Sequence, residues 1–214
     1  LSKRMSDIDS YYDSILLESK PISVKALDAV LNEWGQVQGL RLRSEAKTVE
    51  LMKKSTNSGS PFFSKRKLVL NDTLPVHVRS DYDSRGPVPQ QNLNGNTWDC
   101  CATLGWRGQE GGPTADDVKQ RTVWMFPFGV NIEELRLYQP LIESAQRFNL
   151  VPAWVSMDAV DERITRLFDT KSPDDLVVCT DFSKFDQHFN SSMQSGTHYI
   201  LRNLLTDDSI SRSW

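Results

Sequence analysis

The sequence predicts an α+β fold, and three patterns carry that expectation. Apolar residues recur at three- and four-residue steps through the first fifty positions, the period of helices that bury one face. Residues 118–126 alternate and are rich in β-formers. The short apolar run Leu176, Val177, Val178, Cys179 leads into a pair of aspartates and then a helical stripe, the pattern of a buried strand followed by a helix.

Taken in order, Ile8, Tyr11, Tyr12, Ile15 and Leu16 line a first helix. Val24, Leu27, Val30, Leu31 and Trp34 line a second, with Ser23 placed to cap it. Gly35 and Gly39 interrupt, and Leu42, Ala46, Val49 and Met52 suggest a third. Residues 55–61 are punctuated by Ser, Asn, Gly and Pro and read as a loop, while Lys67, Leu68, Val69 and Leu70 read as a short strand. Residues 71–112 show no sustained period and are too long for an idle loop, so they are expected to form an irregular functional insertion with short strands. Thr114, Ala115, Asp116 and Asp117 suit the cap of a helical turn, and the strand of residues 118–126 ends at Pro127. Asn131 with Glu134 three residues on predicts a helix start, and the helix should run to about Phe148 with Pro140 kinking or dividing it. Residues 156–168 form an amphipathic helix through Val160, Ile164, Leu167 and Phe168. Residues 172–175 form a turn before the apolar strand. Ser191 and Gln194 have capping-box spacing, opening a last helix whose inner face is Met193, Thr197, Ile200, Leu201, Leu204 and Leu205.

At 214 residues, 38% hydrophobic and 25% charged, the chain can bury a core as one or two domains. No apolar run approaches the roughly eighteen residues of a membrane span. Residues 1–7 are too polar for a signal peptide, and the lack of an initiating Met reads as a piece of a longer chain. Cys100, Cys101 and Cys179 have neither disulfide nor zinc spacing, so small buried thiols in a reducing compartment are expected. Net charge is −3, but it is unevenly spread. Residues 41–67 hold eight bases and two acids, about +6, whereas residues 157–214 hold six bases and ten acids, about −4. A basic stretch and an acidic one suit a phosphate-tracking groove and a cation site, or else a solvated helix face and a surface loop.

The segment richest in chemistry runs from Asp175 to Asn190 and contains Asp181 and Asp186. Spacing alone says little, because Asp169 and Asp174 share it. Context separates the two pairs. A carboxylate at the exit of a rigid strand is well placed to hold a cation. Positions five apart on a continuing strand face opposite ways, so Asp181 and Asp186 share a pocket only if residues 182–185 turn back, with Phe182 and Phe185 packed beneath. One acid would then bind Mg²⁺ and the other accept a hydrogen bond from a ribose hydroxyl. The alternative is an ordinary strand, turn and helix with two capping aspartates. Thr206, Asp207 and Asp208 read as a helix end, and His77, His188 and His198 share no metal-ligand spacing.

Asp181-Phe-Ser-Lys-Phe-Asp186-Gln-His-Phe189 after an apolar strand resembles motif A of viral RNA-dependent RNA polymerases, in its picobirnavirus-like form. Thr56, Asn57, Ser58, Gly59, Ser60 and Pro61, flanked by Lys53, Lys54, Lys65 and Arg66, are similar to the motif G loop that guides template. Small hydroxyls, a flexible glycine and free backbone amides there would admit phosphates closely. Residues 119–127 resemble the basic strand of motif F, and Lys119 and Arg121 fall on one side of a strand. The three occur in polymerase order, and the likeness covers residues 53–205.

The resemblance implies a partial right-hand polymerase of α+β class: fingers subdomain plus first palm strand and helix. Residues 1–55 would be the helical part of the fingers, 56–155 the fingers with template loop and basic strand, and 156–214 the start of the palm. It implies that Asp181 and the Phe182 carbonyl bind metal and that Asp186 tests the ribose. Lys119 and Arg121 would meet the triphosphate, and the residues from Thr56 to Pro61, with Lys65 and Arg66, would contact template. Mg²⁺, with Mn²⁺ as alternative, is the implied cofactor. RNA template, nascent RNA and nucleoside triphosphates are the implied partners, the viral capsid protein a further one, and host cytoplasm or virion interior the location. Two other readings stand beside it: a non-catalytic RNA-binding module and a metal-dependent phosphohydrolase.

Overall fold

The computed structural model describes residues 2–15, 19–79, 89–109, 111–114, 117 and 119–214. Leu16, Ala115, Asp116 and Val118, singled out above, lie outside the described residues. The chain forms two compact units, one of Leu1–Leu42 with Pro140–Trp214 and the other of Arg43–Gln139.

The first unit opens with helices α1 (Ser2–Ile15) and α2 (Val24–Glu33). Ser23 caps α2 as expected, its hydroxyl accepting from the Ala26 amide at 3.2 Å. The second unit opens with α3 (Glu45–Leu51), capped by Ser44. It continues through α4 (Leu70–Thr73) to strands β1 (Val78–Arg79), β2 (Gln90–Leu93) and β3 (Asn96–Asp99), which pair antiparallel in that order. Asn94 (φ 52°) and Gly95 (φ 79°) form the two-residue turn between β2 and β3, where an Asn-Gly pair meets the demand for two positive φ angles. Strands β4 (Thr103–Gln109) and β5 (Lys119–Met125) form a separate two-stranded ribbon. The core of this unit gathers Val49, Met52, Val69, Phe128 and Ile132, with Phe62, Leu70, Leu74, Val76 and Leu135 packed against it.

Helix α5 spans Phe128–Arg147, so it begins three residues before Asn131. Asn131 sits inside its first turn, and its amide donates to the Pro127 carbonyl. The helix also runs unbroken through Pro140 rather than dividing there. Pro140 has no N–H, which orphans the Arg136 carbonyl four residues back. The Arg43 amide fills that vacancy at 2.8 Å, while Arg136 Nε donates to the Arg43 carbonyl at 3.1 Å. A tertiary partner thus replaces the missing helical bond.

Returning to the first unit, α6 (Met157–Thr170) is capped by Ser156 and buries no residue, and α7 (Ser191–Leu204) packs on α2. The cap of α7 is Asn190, one residue before the expected Ser191, with its side chain accepting from the Met193 amide. Gly196 permits the close packing, since a Cβ there would lie 2.9 Å from Ile22 Cδ1. The orphan Leu204 carbonyl at the end of α7 accepts from the Gly39 and Leu40 amides, both at 2.9 Å.

Two expected strands are absent. Arg66–Leu68 is a 3-10 turn leading to α4, held by the Leu68 amide on the Lys65 carbonyl. Leu176 to Cys179 is extended but unpaired, with Leu176 89% and Val178 76% exposed. Apolar composition reports a tendency to be buried. A strand exists only through a neighbour's hydrogen bonds, and among the described residues none pairs with this segment.

Candidate active site

Asp181 stands at the end of the unpaired apolar segment, exposed to solvent. The chain then folds back through residues 183–188, and the reversal is made by Lys184 at φ 51°. The Gln187 amide donates to the Lys184 carbonyl at 3.0 Å, and the His188 amide to the Lys184 and Phe185 carbonyls at 3.1 Å. His188 Nδ1 lies 3.1 Å from the Ser183 carbonyl and braces the turn from within. A non-glycine residue in the left-handed region costs about 1–2 kcal/mol, so the turn is kept by these bonds and not by the intrinsic preference of Lys184. Phe182, Phe185 and Phe189 form a chain of rings with centroids 6.0 Å apart at each step. The rings do pack on one another, but Phe182 and Phe185 remain exposed and are not buried beneath the turn. Asp186 is exposed on the far limb of the turn, where its Oδ2 accepts from the Tyr11 hydroxyl.

The loop of residues 56–66 is more closed than expected. Asn57 and Lys65 form an antiparallel bridge across its neck. Ser58 is buried; its amide donates to the Ser64 carbonyl at 2.7 Å, and its carbonyl accepts from the Phe128 amide at 2.9 Å. The Gly59 amide donates to Asn57 Oδ1 at 2.7 Å. The free amides expected here are therefore engaged at Ser58 and Gly59, and the exposed groups are Thr56, Asn57 and Lys65, with Ser60 and Pro61 half-buried. Gly59 has φ 67° and lies against the Phe126 carbonyl. The loop is thereby fastened to the end of β5 and the start of α5.

Arg66 is half-buried, and burial pushes its pKa down. Its Nη2 donates to Asn131 Oδ1 at 2.6 Å, and its guanidinium lies 5.3 Å from the Phe128 ring centre. Lys54 is likewise committed, donating to the Val49 carbonyl at 2.8 Å at the end of α3. Lys53, Lys65 and Lys67 are exposed.

On the ribbon, Arg121 faces Arg107 directly across the two strands, and both are exposed. Like charges in opposed positions repel, so a pair of this kind is relieved by an anion. Lys119 pairs with Gln109 in the same register; its side chain lies outside the described residues. Arg107 was not among the residues expected from the sequence. The signal for it was the register of a strand partner hidden in an apparently irregular stretch.

Asp208 belongs to a different device. It caps α8 (Ser209–Ser213), accepting from the Ser211 amide at 2.7 Å and the Thr206 hydroxyl at 2.6 Å. The Thr206 hydroxyl, and after it the Ser211 amide, hold its pKa down at about 2. A depressed carboxylate stabilises the folded state above its unfolded value of 3.8 and loses that contribution as pH falls through about 2. Asp208→Asn should keep the cap but remove this acid dependence, as read by amide exchange in α8 between about pH 2 and pH 5.

A family model for viral RNA-dependent RNA polymerase matches residues 43–214, which include the loop, the ribbon and the aspartate turn. The chain belongs to the viral RNA-dependent RNA polymerases. It is 62% identical over 206 residues to a potential RNA-dependent RNA polymerase of human picobirnavirus (strain Human/Thailand/Hy005102/-), covering 96% of this chain and 38% of that relative. It also superposes with TM-score 0.93, at 59% identity, on crystal structures of the RNA-dependent RNA polymerase of a human picobirnavirus and of its insertion-loop deletion mutant. All of this chain is covered there and 41% of each polymerase, so the chain spans about two fifths of the length of its relatives. Its mixed helices and strands are the fold of that polymerase over the shared region. No described helix is long and apolar enough to cross a membrane.

Proposed function

We propose that the chain supplies the template-guiding, triphosphate-binding and first metal-binding parts of a polymerase that transfers nucleotides to an RNA 3′ end. It would form the fingers and the start of the palm. The observation that carries this reading is the aspartate turn lying within the family match, with exposed carboxylates at both ends. Asp181 and the adjoining Phe182 carbonyl are hard oxygen donors of the kind Mg²⁺ or Mn²⁺ takes. When bound, the ion stabilises the negative charge that develops at the transferred phosphate. Two donors fall short of the roughly six that Mg²⁺ requires, and among the described residues no group of three or more His, Cys, Asp or Glu gathers. The remaining donors, and the strands beside residues 176–179, would come from the rest of the polymerase fold.

The other residues divide the remaining work. Asp186 accepts a hydrogen bond from the ribose 2′-hydroxyl. Arg121 and Arg107, with Lys119, neutralise the triphosphate on the ribbon. Thr56, Asn57, Lys65 and Lys53 meet template phosphates, while Ser58, Gly59 and Arg66 hold the loop in shape. Arg107→Ala and Arg121→Ala should each raise the nucleotide KM about tenfold. Steady-state incorporation at varied nucleotide concentration reads this.

The test is primer extension by a chimera that joins these 214 residues to the remainder of the human picobirnavirus polymerase. Template-dependent extension abolished by Asp181→Ala is the expected result. Extension indifferent to Asp181, or to template, would overturn the reading. The 214-residue chain by itself should not extend primers, and extension by it that depends on Asp181 would contradict that expectation. The exposed lysines around the loop also admit a plain RNA-binding module. Salt-dependent RNA binding with no response to Mg²⁺ or to Asp181→Ala, in a chimera without synthesis, would favour it.

A further inference from the structure

Asp186 is held from an unexpected direction. Tyr11 on α1 donates its hydroxyl to Asp186 Oδ2, across 175 residues of sequence. One residue earlier on the same helix, Ser10 Oγ donates to Gln187 Oε1 at 2.8 Å. Two successive residues of α1 therefore grip two successive residues of the aspartate turn. Ser10, Tyr11 and Gln187 are half-buried, whereas Asp186 is exposed.

An exposed aspartate with no partner exchanges among rotamers, and only some of them present an oxygen to a given donor. A hydroxyl delivered by a rigid aromatic ring on a helix narrows that choice, and a hydrogen bond to a charged acceptor is among the stronger ones. A carboxylate has two oxygens and about four acceptor positions, so one phenol leaves it able to receive a second donor. Among the described residues no other side chain bonds to Asp186. The arrangement fixes the carboxylate while leaving Oδ1 open.

We infer that Tyr11 is a positioning residue for Asp186 and thereby a determinant of the preference for ribonucleotides over 2′-deoxyribonucleotides. The inference rests on the polymerase reading above. Tyr11 touches neither nucleotide nor metal in this scheme. It acts by keeping one carboxylate oxygen aimed where a 2′-hydroxyl would donate.

The experiment uses the same chimera with Tyr11→Phe, Asp186→Ala and both together. Tyr11→Phe keeps the ring and removes only the donor. The ratio of kcat/KM for a ribonucleoside triphosphate over its 2′-deoxy counterpart should fall about tenfold, through the ribonucleotide alone. In the Asp186→Ala background the same substitution should change nothing, because its effect passes through that carboxylate. A role in packing alone would lower both substrates together and persist without Asp186. Either that pattern or a ratio changed less than about twofold would overturn the inference. If extension proceeds and depends on Asp181 while the ratio is unmoved, only the Tyr11 assignment fails. If no Asp181-dependent extension occurs, the polymerase reading fails and the assignment falls with it.

Discussion

Asp181→Ala in the chimeric polymerase should lower the rate of nucleotide incorporation at least about a thousandfold, since a lost metal ligand removes several kcal/mol of charge stabilisation and each 1.4 kcal/mol is about a factor of ten. Single-nucleotide extension at saturating substrate measures it. Folding should be untouched, because Asp181 is exposed and makes no contact that the turn depends on. The turn is instead held by the Lys184, Gln187 and His188 backbone and by the ring chain of Phe182, Phe185 and Phe189. Asp186→Ala should behave differently, costing selection between sugars more than rate. The contrast separates two carboxylates that the primary structure presents as a symmetrical pair.

The second large effect is on stability. Gly59→Ala should destabilise the second unit by about 2–4 kcal/mol. A left-handed residue with a Cβ costs about 1–2 kcal/mol by itself. At Gly59, φ 67°, the added Cβ would also sit 3.0 Å from the Phe126 carbonyl oxygen and 3.4 Å from Pro127 Cα, backbone atoms that cannot swing aside. At about 4–8 °C per kcal/mol for a unit of this size, the melting midpoint of that unit should drop roughly 8–30 °C. Gly95→Ala is the built-in comparison, since Gly95 has φ 79° but open space around it, so it should show the backbone cost alone. Template affinity should weaken with Gly59→Ala as well, because the bond from the Phe128 amide to the Ser58 carbonyl ties the loop to the start of α5.

What could be read from the residue string followed the range of the interactions involved. The cap formed by Ser23 and the helices of residues 24–33 and 157–170 depend on neighbours three or four positions away and are legible, although Ser156 proves to be a cap and not the first helical residue. The strand at residues 119–125, whose β-formers announce it, is legible too. The Asn94-Gly95 turn is equally local, but the strands it joins are short and polar and carry no strand pattern of their own. The start of α5 was misplaced for a different reason. Asn131 and Glu134 do interact at 3.3 Å, but as neighbours inside the first turns and not as a cap. Leu176 to Cys179 has the composition of a buried strand, but composition does not report pairing, which a distant neighbour must supply.

The site itself was partly legible. Asp181 and Asp186 stand out through their surroundings, and the reversal of the chain expected between them is present, with Lys184 in the left-handed region. Nothing local marks Arg66 as a brace for Asn131, Arg107 as the partner of Arg121, or Tyr11 as the donor to Asp186. Those contacts join distant positions, and only a folded backbone brings them together. The same holds for Arg43, whose amide rescues the carbonyl orphaned by Pro140. Proline alone predicts a kink or a break, and the Arg43 amide satisfies the carbonyl that an undivided α5 leaves orphaned.

The most direct test is to locate the ion. A crystal of the chimeric polymerase soaked with Mn²⁺ and a nucleoside triphosphate should give an anomalous peak bonded to an Asp181 carboxylate oxygen and the Phe182 carbonyl. A peak bonded elsewhere, with the carboxylate of Asp181 turned away from nucleotide and metal alike, would contradict the account.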